Sequence, residues 1–328
     1  MIRRRFAPLL ALAVMGALLV GASPVGAGQV ALGISKSNGG ETMAAFDAFT
    51  VKNGGVAPNL WTLRSKWGGS DKAFPTAAAA AVHARGAVPV IWWSPIDPAK
   101  WHRGKYEKLQ RIIDGKHDTY IRQWALDAKS FGDMAIVRMA HEPNVSVFPW
   151  GKGWFNNSAK RFRKAWKHVV DIFREEDVDN IKFLWSVAKQ SCKGCNPYKK
   201  WFPGNSYVDY AGLTGFNWGG YHGRKWVSMV KAYTQPMKKF KQFTSKPIIV
   251  AETASSHKNG NKAKWIKKGY VAVHERWPRI KGILYLDSDE PHNQIGHPRW
   301  RLAKPNNGSA QAAYAIISAK ADFQGTLD

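Results

Sequence analysis

Eight runs of apolar, strand-forming residues recur along this chain, and they constrain its fold more than any other feature. They are nearly continuous in hydrophobicity, as expected of parallel strands that are covered on both faces. The runs occupy residues 30–35, 59–65, 87–95, 134–142, 181–188, 207–217, 246–253 and 280–290.

Helical patterns fill the intervals between these runs. Residues 117–132 place their apolar positions on one helical face, and residues 158–176 begin with Ser158, a favoured N-cap residue. Residues 75–86 and 309–320 carry further helical signals. Strands that alternate with helices over this length predict an α/β fold, a single-domain (β/α)8 TIM barrel. An open doubly wound sheet is the alternative, but no glycine-rich phosphate loop follows the first run.

The first 27 residues differ from the rest of the chain. MIRRR is basic, an apolar stretch follows, and Val25 and Ala27 give an A-x-A-like end. This pattern predicts a secretory signal peptide over residues 1–27, which leaves residues 28–328 as the barrel domain and the product secreted. The alternative is a retained membrane anchor; no later segment is apolar enough to span a bilayer.

The chain is strongly basic, with a formal charge of +26 that becomes 26 − 3 = +23 once Arg3, Arg4 and Arg5 are removed. Such a charge suits anionic polymers. The basic residues are scattered and lie in no nucleic-acid-binding motif, and export separates the protein from nucleic acid. We therefore expect a monomer with a basic, solvated surface that contacts anionic cell-wall polymers, with no nucleic-acid partner and no membrane contact after cleavage.

The only two cysteines, Cys192 and Cys195, form a single C-x-x-C motif. In a cytosolic enzyme this motif would suggest redox chemistry or half of a zinc site. No second C-x-x-C completes a zinc site, and oxidation is the normal fate of such a pair outside the cell. We predict a disulfide between them.

Acidic residues follow three of the predicted strands. Glu142 ends the fourth run, Glu252 the seventh, and Asp287 lies near the end of the eighth. In this fold the site lies at the carboxyl ends of the strands, so these side chains should share one cleft. Two carboxylates that flank a bond are what glycosidic cleavage needs, without a metal or a cofactor. His141-Glu142 is not a zinc-protease motif, because position 145 is Val.

Tryptophan is abundant near the predicted strand ends. Such rings could stack against sugars around the barrel mouth, although large aromatic residues also pack protein cores. The residues concerned are Trp92, Trp93, Trp150, Trp154, Trp185 and Trp218.

Several motifs together resemble glycoside hydrolase family 26, the retaining β-mannanase family of the (β/α)8 glycosidases. They are RMAHEPN, FPWG, FLWS, FPGNSYVDYAGLTGFN and IIVAET, within a similarity that covers most of residues 30–300. The resemblance implies that Glu142 is the acid/base and Glu252 the nucleophile. It implies substrate-binding roles for His141 and Asn144 of the H-E-x-N motif, and for Trp93 in WWSP. We include Trp150, Trp185, Phe216, Asn217, Trp218 and Asp287 in the predicted substrate-binding set.

The chain departs from the family pattern at the sixth strand. Where the family usually reads G-L-D-G-Y-N, this chain reads GLTGFN, so Thr214 replaces Asp and Phe216 replaces Tyr. Ser94 also replaces the Glu of the W-E-P motif. The family tyrosine is expected to contact the nucleophile, and losing a hydrogen-bond donor raises the pKa of a carboxylate. We therefore expect a raised pKa for Glu252.

Two classes of function fit these features. The first is a secreted retaining endo-β-glycosidase that cleaves a β-1,4-linked polysaccharide, mannan first and β-glucan or xylan next. The second is a barrel that binds polysaccharide at the cell wall without effective cleavage. Both Glu142 and Glu252 are present, which favours catalysis, because a binding protein needs neither.

Overall fold

The computed structural model describes residues 28–37, 39–101, 103–189, 198–288, 298–303 and 308–327. The predicted signal peptide and the predicted Cys192–Cys195 disulfide lie outside the described residues, so both stay predictions. In the part of the chain that is described, no helix is both long enough and apolar enough to cross a membrane.

Eight parallel strands close into a barrel in sequence order, which confirms the predicted (β/α)8 fold. The strands are β1 (Ala31–Ser35), β2 (Leu60–Lys66), β3 (Val88–Ser94), β4 (Ala135–Met139), β5 (Ile181–Ala188), β6 (Tyr210–Asn217), β7 (Ile248–Ser255) and β8 (Ile280–Leu286).

Helices cover the outside of the barrel. They are α1 (Met43–Lys52), α2 (Thr76–His83), α3 (Leu109–Ile113), α4 (Asp118–Phe131), α5 (Ala159–Glu175), α6 (Met229–Phe240), α7 (Lys262–Arg276) and α8 (Ser309–Ser318). The predicted N-cap is confirmed at α5, where the Ser158 hydroxyl accepts a hydrogen bond from the Arg161 backbone N–H.

The strands divide the apolar core into two parts. A large outer cluster packs between the strands and the helices, and a smaller cluster fills the inside of the barrel. Alternate strand residues supply the inner cluster, including Val90, Ile136 and Leu184. Above this layer, toward the carboxyl ends of the strands, the inward positions become polar, and they build the candidate site.

Candidate active site

Glu142 lies beyond the end of β4, not at the strand end that the sequence predicted. β4 ends at Met139, and the chain then turns through two non-glycine residues with positive φ, Ala140 (40°) and Glu142 (52°). Such conformations are strained and persist only where the surroundings impose them, often at functional sites. The Glu142 backbone N–H donates to the Ser186 carbonyl of β5 over 3.0 Å, which fixes the turn against the barrel.

Glu252 lies inside β7 rather than at its end, and a register irregularity directs its side chain into the barrel. Val250 belongs to the outer cluster and Ala251 to the inner one, so regular alternation would turn Glu252 outward. The pairing of β7 with β8 is irregular between Val250 and Thr253, and the pairing with β6 shifts after Leu213. An irregularity of this kind re-aims a side chain, and here it delivers Glu252 to the interior.

Arg138 of β4 joins the polar residues of the interior into one network. Its side chain is fully buried. Nη1 donates to Glu252 Oε2 over 3.1 Å, Nη2 to the Thr214 hydroxyl over 2.8 Å, and Nε to the Ser186 hydroxyl over 2.8 Å. A planar guanidinium with its donors in a fixed geometry holds such partners in place. Arg138 therefore sets the position of Glu252.

Trp92 of β3 lies between two guanidinium groups. The ring centroid is 4.5 Å from Arg138 Cζ and 4.4 Å from Arg64 Cζ. Arg64 is held by Glu41 and by the Lys36 carbonyl, the latter at 2.9 Å. The aromatic face stabilises both cations. This matters most for Arg138, which is fully buried, where an unpaired charge would be costly, whereas the side chain of Arg64 is 31 % exposed.

The two carboxyl groups have raised pKa values, and burial is the main cause for both. The sequence-based expectation for Glu252 rested on the absent tyrosine hydroxyl at position 216, so it stays a prediction. Burial raises the pKa of Glu252 to about 7; Arg138 opposes this shift, and the negative charge of Glu142 adds to it. Burial also raises the pKa of Glu142, while the charge of Arg138 and a hydrogen bond with Thr214 lower it. The pair therefore retains a proton at a higher pH than two isolated carboxylates would. One group can donate a proton while the other carries the negative charge.

This raised pKa predicts a specific pH dependence of stability. The folded pKa of Glu252 is about 7 and its ordinary value is 4.5, so the folded chain binds the proton more tightly than the unfolded chain. The contribution of Glu252 to stability is therefore fully present below pH 4.5 and is lost as pH rises through 7, by at most about 3 kcal/mol. Glu252→Gln removes the titrating group. We therefore expect its free energy of unfolding, relative to that of the parent protein, to be higher at pH 8 than at pH 4.5 by up to that amount.

Urea unfolding of both proteins at the two pH values measures this difference. Glu275→Gln, at an exposed carboxylate on α7, is the matched control and should show no such change. A Glu252→Gln protein whose advantage is the same at both pH values would contradict the raised pKa.

Two of the predicted tryptophans lie outside the cleft, so their predicted role in substrate binding is wrong. Trp93 is fully buried against α4, where it stacks on Trp124 with ring centroids 4.2 Å apart. Trp185 is fully buried among Phe202, Phe240 and Phe243. Both side chains point outward from their strands, toward the helices. On β3 it is Trp92 that faces the interior.

Trp150 and His141 pack together beside Glu142. Trp150 Nε1 donates to the His141 carbonyl over 2.7 Å, and its ring stacks on Phe148. His141 is 5 % exposed, and its ring lies 5.1 Å from that of Trp92. Burial and the charge of Arg138 lower the pKa of His141, so the imidazole is neutral. Its Nδ1 is buried and has no hydrogen-bond partner among the described residues.

Two asparagines that were predicted to bind substrate instead form hydrogen bonds within the protein. The Asn144 side chain exchanges two hydrogen bonds of 2.9 Å with the backbone of Ala188 and so ties the segment after β4 to β5. Asn217 is fully buried; it donates to the Ser255 hydroxyl and accepts from two backbone N–H groups of the loop after β6. Asn217 shapes that loop, and the prediction that it contacts substrate is wrong.

The other predicted residues lie around the mouth. Phe216 is half-buried and stacks on Trp300, with ring centroids 5.0 Å apart. Trp218 is also half-buried, with its ring edge-on to Trp300. Asp287 forms an ion pair with Lys36 and accepts the Leu302 N–H over 2.7 Å. Asp287, which follows β8, is therefore bonded to the segment after β1. Phe216 and Trp218 remain available to a ligand.

Arg138 is not among the predicted site residues, although the sequence contains a signal for it. An arginine inside the apolar run MAIVRM must be paired if the run is a buried strand. Across the described residues, no group of three or more His, Cys, Asp and Glu side chains is arranged to hold a metal ion.

Comparisons with known proteins agree with this geometry. Residues 104–245 match the sequence model of glycosyl hydrolase family 26. Endoglucanase H of Acetivibrio thermocellus is 30% identical over 238 residues, which cover 71% of this chain and 24% of that protein. The β-1,3-xylanase TXYA of a Vibrio species is 21% identical over 218 residues, or 61% of this chain and 44% of that protein. The chain thus spans less than half the length of these two relatives.

Solved structures of low sequence identity share the fold. The catalytic domain of a family 26 endo-β-1,4-mannanase from Bacillus sp. JAMB-750 superposes with a TM-score of 0.65 at 17% identity, covering 90% of this chain and 86% of that one. A family 26 β-mannanase from Bacteroides ovatus gives 0.62 at 16% identity and covers 90% of each chain. The same barrel therefore extends beyond the segment that the family's sequence model matches.

Proposed function

This chain belongs to glycosyl hydrolase family 26, and we propose that it is an endo-acting β-glycosidase that cleaves a polysaccharide with Glu142 and Glu252. The observation that carries the proposal is a pair of carboxyl groups beyond β4 and within β7. Glu252 is buried and accepts a hydrogen bond from Arg138, and the half-buried Glu142 forms a hydrogen bond with Thr214, which Arg138 also contacts. A barrel that only bound polysaccharide would gain nothing from placing two acids in a poorly hydrated interior.

The two carboxyl groups fit the two roles of a retaining mechanism. Glu252 is held by Arg138 and attacks the anomeric carbon, while Glu142 gives its proton to the departing oxygen. Water then cleaves the glycosyl–Glu252 ester, with Glu142 acting as the base. Burial raises the pKa of both carboxyl groups, so the pair retains the proton that the acid must donate. We assign the acid to Glu142 from its place in the H-E-x-N motif, and the nucleophile to Glu252 because Arg138 stabilises its charged form.

The substrate class is a β-linked glycan. Mannan is the first substrate expected from the family resemblance, and the names of the sequence relatives add β-glucan and xylan. Thr214 and Phe216 depart from the mannanase pattern at β6, which supports testing all three polymers side by side.

A reducing-sugar screen of the purified protein on mannan, glucomannan, lichenan and xylan tests the function. We expect new reducing ends on at least one polymer, with a rapid fall in viscosity that indicates internal cleavage. Binding to a polymer without any release of sugar would replace the proposal with a non-catalytic polysaccharide-binding barrel.

Replacing the acid/base should harm substrates with poor leaving groups most. We expect Glu142→Ala to lower kcat/KM on the polysaccharide by about 10²–10⁴-fold. On an activated aryl glycoside the loss should be less than about tenfold, because a good leaving group departs without a proton. kcat/KM is the quantity to compare, since it reports the step in which the leaving group departs. Equal losses on both substrates would remove Glu142 from the role of the acid.

We also propose that the protein is exported and that residues 1–27 are removed. The basic start, the apolar stretch and the small residues before position 28 support export. Intact-mass measurement of protein from the culture medium would establish the cleavage position, and it would also show whether Cys192 and Cys195 are oxidised.

A further inference from the structure

The loops that follow β6 and β7 form a surface that we call the basic rim, made of residues 218–225 and 257–258. These two segments contain no acidic residue and carry Arg224, Lys225 and Lys258 together with two histidines. Arg224 and Lys258 are exposed. Since the loops extend from the carboxyl ends of their strands, the rim borders the mouth of the barrel.

Hydrogen bonds and close packing fix the two loops against each other. The Ser256 hydroxyl donates to the Gly219 carbonyl over 2.9 Å and so joins the two loops, while the Gly220 N–H donates to the Arg224 carbonyl over 2.7 Å within the loop after β6. Gly220 has a φ of 79°, and a Cβ there would lie 2.6 Å from the Asn259 side chain. Only glycine fits this approach. The rim is therefore a built surface with cations at defined positions.

Aromatic rings, rather than carboxylates, support the cations of the rim. Arg224 Cζ lies 4.8 Å from the Trp218 ring, and Lys258 Nζ lies 5.3 Å from the Tyr221 ring. Among the described residues, neither cation forms an ion pair with an acidic side chain. A cation on an aromatic face is held in place while its N–H donors stay available to an incoming anion.

Lys189 adds to the positive potential of the rim. Lys189, at the end of β5, is half-buried, and burial together with the charge of Arg224 lowers its pKa. His257 is half-buried, and its Nδ1 has no hydrogen-bond partner within the described part of the chain. Burial and the charges of Lys262, Arg299 and Lys258 lower the pKa of His257, so its imidazole is neutral. Like charges held close together repel one another, and a bound anion would relieve that repulsion.

The rim is close enough to the catalytic pair to bind the same polymer. His257 follows Glu252 by five positions along β7 and its extension, a span of at most roughly 16 Å at 3.3 Å per residue. Trp218 connects the rim to the mouth through Trp300, which stacks on Phe216. A glycan cleaved at Glu252 could therefore extend across the basic rim.

We propose that the basic rim is a subsite for a sugar unit that carries a carboxylate, so that the preferred substrate is an anionic β-glycan. Arg224 and Lys258 donate to the carboxylate, and the rings beneath them hold the two cations. The inference rests on the proposed function, because it names the class of substrate that the same cleft takes.

The test compares an anionic polymer with its neutral parent. The polymers are a carboxymethylated β-glycan and the same β-glycan unmodified, chosen as the backbone that the protein cleaves. We expect the double variant Arg224→Gln/Lys258→Gln to lose about tenfold in kcat/KM on the anionic polymer and less than about threefold on the neutral one. The loss should shrink as salt is added.

A matched control removes two charges from the opposite end of the barrel. Lys182 and Lys281 are the second residues of β5 and β8, so Lys182→Gln/Lys281→Gln changes the net charge equally, far from the rim. This control should keep the preference of the parent protein. If both double variants lose the preference equally, the overall charge is responsible and the rim proposal is overturned.

Binding separates this proposal from the proposed function. Affinity electrophoresis through gels that contain the carboxymethylated polymer measures rim binding in a Glu252→Ala background, without cleavage. If the parent protein is retarded and the rim variant is not, the rim binds the anionic polymer, and this result holds even if no polymer is ever cleaved. Cleavage of the neutral polymer, with retardation unchanged by the rim variant, would overturn the rim while the glycosidase assignment stands. If the rim variant lost retardation only in gels that contain a sulfated polymer, the claim that the rim binds a carboxylate would be refuted.

Discussion

Glu252→Ala is expected to lower kcat/KM on every substrate by at least about 10⁴-fold, the scale on which a covalent nucleophile acts. The loss should not depend on the leaving group, since no proton donor replaces the bond that Glu252 forms with the anomeric carbon. Azide is expected to restore part of the activity, because the shorter side chain leaves room for a small anion at the same face of the sugar. The product is then a glycosyl azide of inverted configuration.

The configuration of that product, read by NMR, distinguishes chemistry from structural damage. Asp287→Asn is the matched control: Asp287 is another acid near the mouth, but it is tied to Lys36 and to the Leu302 backbone. The Asp287→Asn variant should lose less than about tenfold in kcat/KM. A folded Glu252→Ala protein that retained its rate, or whose azide product kept the original configuration, would refute the assignment of the nucleophile.

The barrel and the two acids could be predicted because their signals are local. Each strand is a continuous apolar run, each helix has a recognisable apolar face, and the rule that the site lies at the carboxyl ends then selects Glu142 and Glu252. The exact ends of β4 and β7 could not be predicted. Glu142 depends on a turn with positive φ that no glycine marks, and Glu252 depends on a register irregularity that only the neighbouring strands impose.

The choice between Trp92 and Trp93 shows a second limit of the sequence. A strand that is covered on both faces is apolar at every position, so its pattern does not indicate which neighbour points inward. The family motif favoured Trp93, and the structure places Trp92 inside. The basic rim was also beyond prediction, because the basic residues look scattered until the loops after β6 and β7 come together.

Arg138 was missed because its partners are distant in sequence. Glu252 lies 114 positions away and Thr214 lies 76 positions away, so no local pattern connects them. Their contact nevertheless has a measurable consequence. Burial raises the pKa of Glu252 to about 7, and the charge of Arg138 is the largest influence that opposes this shift. Without Arg138, the pKa of Glu252 would rise further, and more of this carboxyl group would stay protonated at neutral pH.

We therefore expect Arg138→Met to move the acid limb of the kcat/KM profile to higher pH by about one to three units, the usual effect of an adjacent arginine on a carboxylate. Activity at pH 6 should fall by roughly 10- to 1000-fold, while activity at high pH recovers in part. Methionine keeps most of the buried volume but removes the three hydrogen bonds, so recovery stays incomplete. A pH profile of kcat/KM on one soluble substrate provides the measurement.

Arg64→Met is the matched control for this change. Arg64 lies on the same Trp92 ring, yet its hydrogen bonds go to Glu41 and Lys36, and it lowers the pKa of Glu252 less than Arg138 does. Its acid limb should move less than that of Arg138→Met. If Arg138→Met lost activity by the same factor at every pH, Arg138 would only support the fold. A shifted limb with a preserved circular dichroism spectrum would instead establish that this buried guanidinium lowers the pKa of Glu252.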